Sequence, residues 1–149
     1  MGNTVQTELD LTKIMVLLQR RFSAVSEIEK LTGELTEAFE RNDDVSAALL
    51  LQMRADEMEK ADMCLDEIWQ FAEYDRKAGE KLRTLMLSDP LVTEGENFEE
   101  KKIYEIRQKI RVTAEHLRAM DERLNRSVAR EKSFYGSGNM ERESGSANA

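Results

Sequence analysis

Residues 103–127, IYEIRQKIRVTAEHLRAMDERLNRS, carry the most regular apolar repeat of this chain. One set of positions recurs every seven residues, and a second set, with two polar members, lies between them. These positions are Ile103, Ile110, Leu117 and Leu124, and Ile106, Thr113, Met120 and Ser127. Because this spacing is the a/d pattern of coiled-coil helices, the stretch predicts a long helix with one apolar seam.

The boundaries of this helix follow from the residues on either side, and we expect it to span about residues 98–132. Asn97 and Glu100 have the spacing of a capping box, in which the first residue accepts a backbone hydrogen bond at the helix start. Pro90 ends the preceding helix, because proline lacks the N–H that a helix interior needs.

Beyond this helix, residues 133–149 are rich in Gly, Ser, Asn and Glu. Such a segment has too little apolar surface to offset the entropy of ordering, so we expect a flexible polar tail. Phe134 and Tyr135 are an exception at its start, since two adjacent aromatic side chains need a surface against which to pack.

Two more helices are predicted before Pro90, over about residues 8–41 and 44–87. Apolar residues recur in both at three- and four-residue steps. The apolar stripe of the second helix includes Leu51, Ala55, Met58, Ala61, Leu65, Ile68, Ala72, Leu82 and Leu85. Gly79 interrupts this helix as a kink or a stop. Because the connection between the two helices is very short, they should be antiparallel neighbours.

The composition agrees with this pattern, at 40% hydrophobic, 35% charged and 6% aromatic residues. We therefore expect an all-α fold, an elongated antiparallel bundle of three long helices over residues 1–132. A net charge of −8 argues against a nucleic-acid partner, since phosphate backbones require a basic surface. Residues 43–97 are acidic and residues 98–132 are basic, so the second and third helices have complementary charges.

Several features predict a soluble cytoplasmic protein without membrane insertion. A single cysteine, Cys64, excludes an internal disulfide and is typical of a reducing compartment. The apolar run from Ile14 to Leu18 is too short to cross a bilayer. Glu8 and Asp10 stand where a signal peptide would need a basic start and an apolar stretch.

Residues that carry chemistry are scarce, since His116 is the only histidine and Cys64 the only cysteine. Together they cannot supply the usual ligand set of a zinc site. A nucleophile–base pair of these two side chains stays open from the sequence, beside a packing role for Cys64 and a boundary position for His116. We expect a protein that is not an enzyme and has no catalytic residue, metal or cofactor.

Two residue groups point instead to contacts with other proteins. The chain has eight methionines, which either fill the core or form a surface that adapts to partner helices. Trp69, Phe71 and Tyr74 are so close in sequence that they point around the helix. Because all three cannot lie in one core, some apolar surface should be exposed.

The order of local features is also informative. A short turn, Arg41 to Asp44, leads into a Leu-rich helix bearing Arg, Glu and Lys, and Tyr135-Gly136 follows the last helix. This arrangement resembles the FlgN-type flagellar export chaperones, and the FliT-type chaperones share the helical layout. The resemblance implies a cytoplasmic protein that binds amphipathic C-terminal helices of hook-associated proteins. It would prevent their premature polymerisation and bring them to the type III export apparatus.

Carried over by position, the client-binding element is the end of the third helix and its aromatic extension. Its residues are Leu117, Met120, Leu124, Val128, Phe134 and Tyr135. The basic third helix departs from the family pattern and leaves the client open. The alternative interpretation is a structural or scaffolding coiled-coil protein that self-associates through its heptads. Both a monomer and a homodimer fit the sequence.

Overall fold

The computed structural model describes the backbone of residues 8–147 and the side chains as far as residue 130. Within that part of the chain all regular elements are helical, so the all-α prediction is confirmed. The α-helices are α1 (Leu11–Glu40), α2 (Asp44–Gln70), α3 (Arg76–Leu87) and α4 (Phe98–Ala147), with a short 3-10 helix at Phe71–Glu73. The described residues thus form four α-helices instead of the three long helices expected.

Carboxylate caps and a tight turn define the first hairpin. Asp10 accepts a hydrogen bond from the backbone N–H of Lys13 at 3.0 Å and starts α1. Asp43 accepts one from the N–H of Ser46 at 3.0 Å and starts α2. Asn42 between them has φ 56°, in the left-handed region that asparagine tolerates better than most residues. The chain reverses at this turn, so α2 runs antiparallel to α1, as expected.

The predicted second helix is broken at residues 71–75. Asp75 has an extended backbone, and its carboxylate accepts a hydrogen bond from the N–H of Ala78 at 2.7 Å, which starts α3. The expectation that Gly79 marks the kink or stop is wrong, because Gly79 lies inside α3. A Cβ at Gly79 would lie 3.2 Å from the carbonyl oxygen of Ala72, so glycine permits close packing between α3 and the preceding 3-10 helix.

α1 is the central helix and packs against both α2 and α4. Glu29 of α1 contacts His116 of α4, and Gly33, four residues later, lies beside Met120, also four residues later. Because the residue numbers rise in the same direction along both helices, α1 and α4 are parallel. One core cluster draws on α1, α2, α3 and α4 and consists of Ile14, Leu17, Leu18, Ile68, Leu82, Ile103 and Ile106. A second cluster, with Leu35 and Leu124, lies near the α1–α2 turn.

The predicted capping at the start of α4 is confirmed. The N–H of Glu100 donates to Asn97 Oδ1 at 2.8 Å. The Glu100 carboxylate is buried, accepts from the Asn97 side-chain amide at 3.1 Å and pairs with Lys81 Nζ at 3.2 Å. Because Lys81 belongs to α3, this ion pair holds α3 against the first turn of α4.

The backbone of α4 continues to Ala147, beyond the predicted helix end at about residue 132. Most of the segment predicted as a flexible tail, residues 133–149, is therefore helical in backbone conformation, and its last two residues lie outside the described part of the chain. Extending an existing helix is much easier than nucleating a new one, which explains how a polar segment can continue α4.

Candidate partner-binding surfaces

The client-binding element predicted on α4 is only partly described. Leu124 is 7% exposed and packs with Leu35 and Ala38 of α1 and Ala47 of α2. Val128 packs against the same cluster. This part of the element is therefore occupied by contacts within the protein, and a client helix could cover it only if α4 moved away from α1.

The other residues of that element have different surroundings. Leu117 is half-buried. Met120 is also half-buried, and its Cε lies 3.8 Å from the place where a Cβ on Gly33 would stand. The side chains of Phe134 and Tyr135 lie outside the described part of the chain. The structure thus places the first four predicted residues along one stretch of α4.

A groove between α1 and α2 carries a strip of exposed apolar side chains. We call it the α1–α2 groove. It is formed by Val16, Arg20, Ser23 and Glu27 of α1 and by Leu49, Met53, Glu57, Lys60, Met63, Cys64 and Glu67 of α2. Most of these residues, with Leu17 and Ala24 beneath them, line a cavity of 590 Å³. Val16 and Met53 extend the same rows, because each lies four residues before a lining position on its helix, and Leu49 lies one further four-residue step before Met53.

The exposure of this strip is substantial at four apolar positions. Val16 is 37% exposed, Leu49 61%, Met53 41% and Met63 56%. Single exposed apolar residues are ordinary on a protein surface, but several that follow one groove mark a candidate interface. The α1–α2 groove is therefore the strongest candidate binding surface for a helix among the described residues.

The floor and rim of the groove differ in chemistry. Leu17 and Ala24 are buried beneath it, and Cys64 is half-buried. Small residues such as alanine and cysteine allow a second helix to approach closely. On the rim, Lys60 Nζ donates to Glu57 at 2.9 Å, and this hydrogen bond, aided by the acidic charges nearby, raises the pKa of Lys60.

Sequence reasoning missed this groove because it placed the wrong apolar row in the core over the first half of α2, although the expected stripe correctly included Ala61 and Ile68. Leu51, Ala55 and Met58 were expected in the buried stripe, but all three are exposed. Ala47, Ala61 and Ile68 are the buried positions of α2. The signal that could have revealed the groove is the four-residue step from Val45 to Leu49 to Met53, with Met63 further along the helix. A helix that carries two apolar rows does not disclose which row faces its neighbour.

The methionines and aromatics divide between core and surface. Met53, Met58 and Met63 are exposed, whereas Met15, Met86 and Met120 are half-buried. Trp69 and Phe71 pack against the first core cluster. Tyr74 is exposed and meets Phe71 edge to face, with ring centroids 5.4 Å apart. The expectation that these three aromatics cannot all lie in one core is confirmed.

Cys64 and His116 lie in different surroundings. Cys64 lines the α1–α2 groove, and His116 is absent from the residues that line the cavity there. His116 Nδ1 lies 2.8 Å from Glu29 Oε2, so the histidine links α4 to α1. The structure therefore assigns His116 a contact between helices and Cys64 a place in the groove, and it does not bring the two together as a nucleophile and its base.

Within residues 8–147, no helix is both long and apolar enough to cross a membrane. Among residues 8–130, whose side chains the structure describes, no group of three or more His, Cys, Asp and Glu is arranged to hold a metal ion. No family model, curated protein or solved structure matches the chain.

Proposed function

We propose that the protein is a non-enzymatic helix-binding protein with the role of a FlgN-type flagellar export chaperone. In this role it acts in the cytoplasm and binds an amphipathic C-terminal helix of a hook-associated protein. It prevents premature polymerisation of that client and brings it to the type III export apparatus. The apolar strip along the α1–α2 groove carries the helix-binding part of the proposal. The sequence layout, including Tyr135-Gly136, supports the choice of client.

The dimensions of the groove suit one helix. The row from Met53 to Glu67 extends over about 21 Å at about 1.5 Å per residue, which corresponds to roughly four helical turns. Because α1 and α2 lie side by side, a client helix resting between them would bury an apolar stripe on both. This contact is the helix-in-groove mode of recognition, with anchor residues at three- and four-residue steps.

The charged side chains on the rim of the groove indicate which charges a client helix should carry. Arg20 and Lys60 supply positive charge, and Glu27, Glu57 and Glu67 supply negative charge. A matching client helix therefore has a narrow apolar stripe flanked by charged residues of both signs. Exposed methionines fit this task, because their flexible side chains adapt to apolar surfaces of differing shape.

A binding experiment can distinguish the groove from the end of α4. We would titrate the full-length protein, by isothermal calorimetry, with peptides of the C-terminal helices of hook-associated proteins from a flagellated bacterium. The groove variant is Met53→Glu with Met63→Glu, and a second variant ends after Arg130 and so lacks Phe134 and Tyr135. The matched control is Val112→Glu, which adds a carboxylate at an exposed position of α4.

The proposal predicts that the wild type and the Val112→Glu control bind a peptide and that the groove variant binds it at least tenfold more weakly. Loss of binding only in the truncated form would support the chaperone role and move the site to the end of α4. If none of the peptides binds the wild type, the chaperone proposal fails. A stable dimer in light scattering that the groove variant dissociates would then favour the self-associating scaffold.

A further inference from the structure

Four arginines surround a second cleft, at the junction of α1, α3 and α4. The cleft has a volume of 350 Å³. We call it the arginine cleft, and it is lined by Leu18, Arg21, Met86, Arg107, Ile110, Arg111, Ala114 and Arg118. The chain as a whole has a net charge of −8, so this concentration of positive charge runs against the composition of the protein.

Two of these arginines are fixed by backbone carbonyls. Arg21 donates to the carbonyl of Ala61 at 2.7 Å, which joins α1 to α2. Arg107 donates to the carbonyls of Leu85 and Ser88, at 2.9 and 2.6 Å, at the end of α3. A carbonyl satisfies the hydrogen-bonding capacity of a guanidinium but does not neutralise its charge. Both side chains therefore contribute positive potential to the cleft from fixed positions.

The other two arginines are more available to a ligand. Arg111 is half-exposed and makes only long ion pairs, 3.6 Å to Asp89 and 3.5 Å to Glu115. Such exposed pairs contribute little and can exchange partners. Arg118 is exposed and has no ion pair or hydrogen bond with the other described residues. The cleft thus combines two fixed cations with two that can turn toward an anion.

Arg107 is partly buried and lies near a second cation, Arg111. Partial burial is the main cause that lowers the pKa of its guanidinium, and the nearby positive charge of Arg111 lowers it further. Tyr104 and Asp89 oppose this effect. An anion bound among the arginines would relieve the repulsion between Arg107 and Arg111.

We propose that the arginine cleft binds a short acidic segment of a partner protein, in which carboxylates flank an apolar side chain. Planar guanidinium groups bind carboxylates through paired hydrogen bonds. The apolar part of the lining, which includes Leu18, Met86 and Ile110, receives the apolar side chain. This site is separate from the α1–α2 groove and does not depend on the chaperone role.

The observations favour a peptide over other polyanions. Nucleic acid needs an extended basic surface, whereas the four arginines here line one concave cleft in a chain of net charge −8. An anionic membrane would repel the rest of the molecule, because the chain carries a net charge of −8. A small inorganic anion would use the arginines but leave the apolar lining uncovered.

The test uses the full chain and a fluorescently labelled peptide in which leucines alternate with pairs of glutamates. Binding is followed by fluorescence anisotropy at low ionic strength. The cleft variant is Arg111→Gln with Arg118→Gln, which spares the two arginines that hold the fold together. The matched control is Arg123→Gln with Arg126→Gln, which removes the same charge from exposed positions of α4 outside the cleft. Circular dichroism verifies that both variants remain helical.

We expect the cleft variant to weaken binding about tenfold or more, since two ion pairs are lost together, and the control to change it less than about threefold. A peptide with glutamine in place of glutamate should not bind measurably. The proposal fails if the control loses as much affinity as the cleft variant or if the glutamine peptide binds equally well. It also fails if inorganic pyrophosphate displaces the labelled peptide as effectively as the unlabelled peptide does.

Discussion

At the scale of single residues, three helices begin at aspartates whose carboxylates accept backbone hydrogen bonds. Asp10, Asp43 and Asp75 cap α1, α2 and α3 in this way. Asp43 also has a lowered pKa, chiefly because of its hydrogen bonds with Ser46 and to a lesser extent because of the positive charge of Arg41. Its carboxylate therefore stabilises the start of α2 most when it is charged.

The sign of the pH dependence at Asp43 follows from this shift. Because the folded-state pKa lies below the ordinary value of 3.8, the stabilisation is present above that value and is lost as the pH falls through the lowered pKa. We predict that Asp43→Asn, which keeps a capping oxygen, is less stable than the wild type at pH 7. The difference should shrink as the solution is acidified toward pH 3, as urea unfolding followed by circular dichroism can measure. A difference that stayed constant with pH would contradict this account.

At the scale of helices, two glycines occupy interiors but face different surroundings. A Cβ at Gly33 in α1 would lie 3.8 Å from Met120 Cε, an ordinary van der Waals distance to a flexible side chain. At Gly79 in α3 it would lie 3.2 Å from the backbone oxygen of Ala72, which is tighter than most contacts. The two sites therefore share a helical backbone and differ in the space available to a methyl group.

These surroundings predict opposite effects of one substitution. Gly33→Ala should raise the free energy of unfolding by about 0.5–1 kcal/mol, because alanine favours the helix and the site has room. Gly79→Ala should raise the free energy of unfolding by less than Gly33→Ala does, or lower it, because the α3 backbone must shift away from Ala72. Urea unfolding of both variants supplies the comparison. An equal gain at the two sites would show that no close approach exists at Gly79.

Local signals in the sequence predicted more of the fold than of the binding surfaces. Asn97 was found as a cap because a capping residue acts on neighbours three positions away. The break at Asp75 was assigned to Gly79, because a capping aspartate looks like any surface acid until the backbone turns. The α1–α2 groove was missed because it depends on which side of α2 faces α1. The complementarity of neighbouring helices is a tertiary property that periodicity alone does not specify.

At the scale of the whole molecule, α2 and α4 flank α1 and are tied by an ion pair, in which Arg54 Nη2 lies 2.6 Å from Asp121 Oδ1. Its polarity is the reverse of the expected pairing, since the cation comes from the acidic segment and the anion from the basic one. The Arg54 side chain is only 16% exposed, and its buried Nε has no hydrogen-bond partner in the described part of the chain. The arginine therefore relies on Asp121.

We predict that Arg54 and Asp121 are energetically coupled. In a double-mutant cycle with Arg54→Met and Asp121→Asn, the coupling in the free energy of unfolding should be about 1 kcal/mol, since the partly buried pair is weakly screened. The matched control is the exposed pair Arg76–Glu80 in α3, whose coupling should be at most about 0.5 kcal/mol. Similar coupling energies in the two cycles would mean that the Arg54–Asp121 pair stabilises the fold no more than an exposed ion pair does.

The central position of α1 also has a consequence for synthesis on the ribosome. Its contact partners in α2 follow soon after it in the chain, but those in α4 come much later, with Glu29 and His116 separated by 87 residues. At a synthesis rate of about 5–20 residues per second, the side of α1 that contacts α4 stays exposed for roughly 4–17 seconds before α4 has been made. During that interval Ile14 and Leu18, which later pack with α4, are open to neighbouring nascent chains on the same messenger.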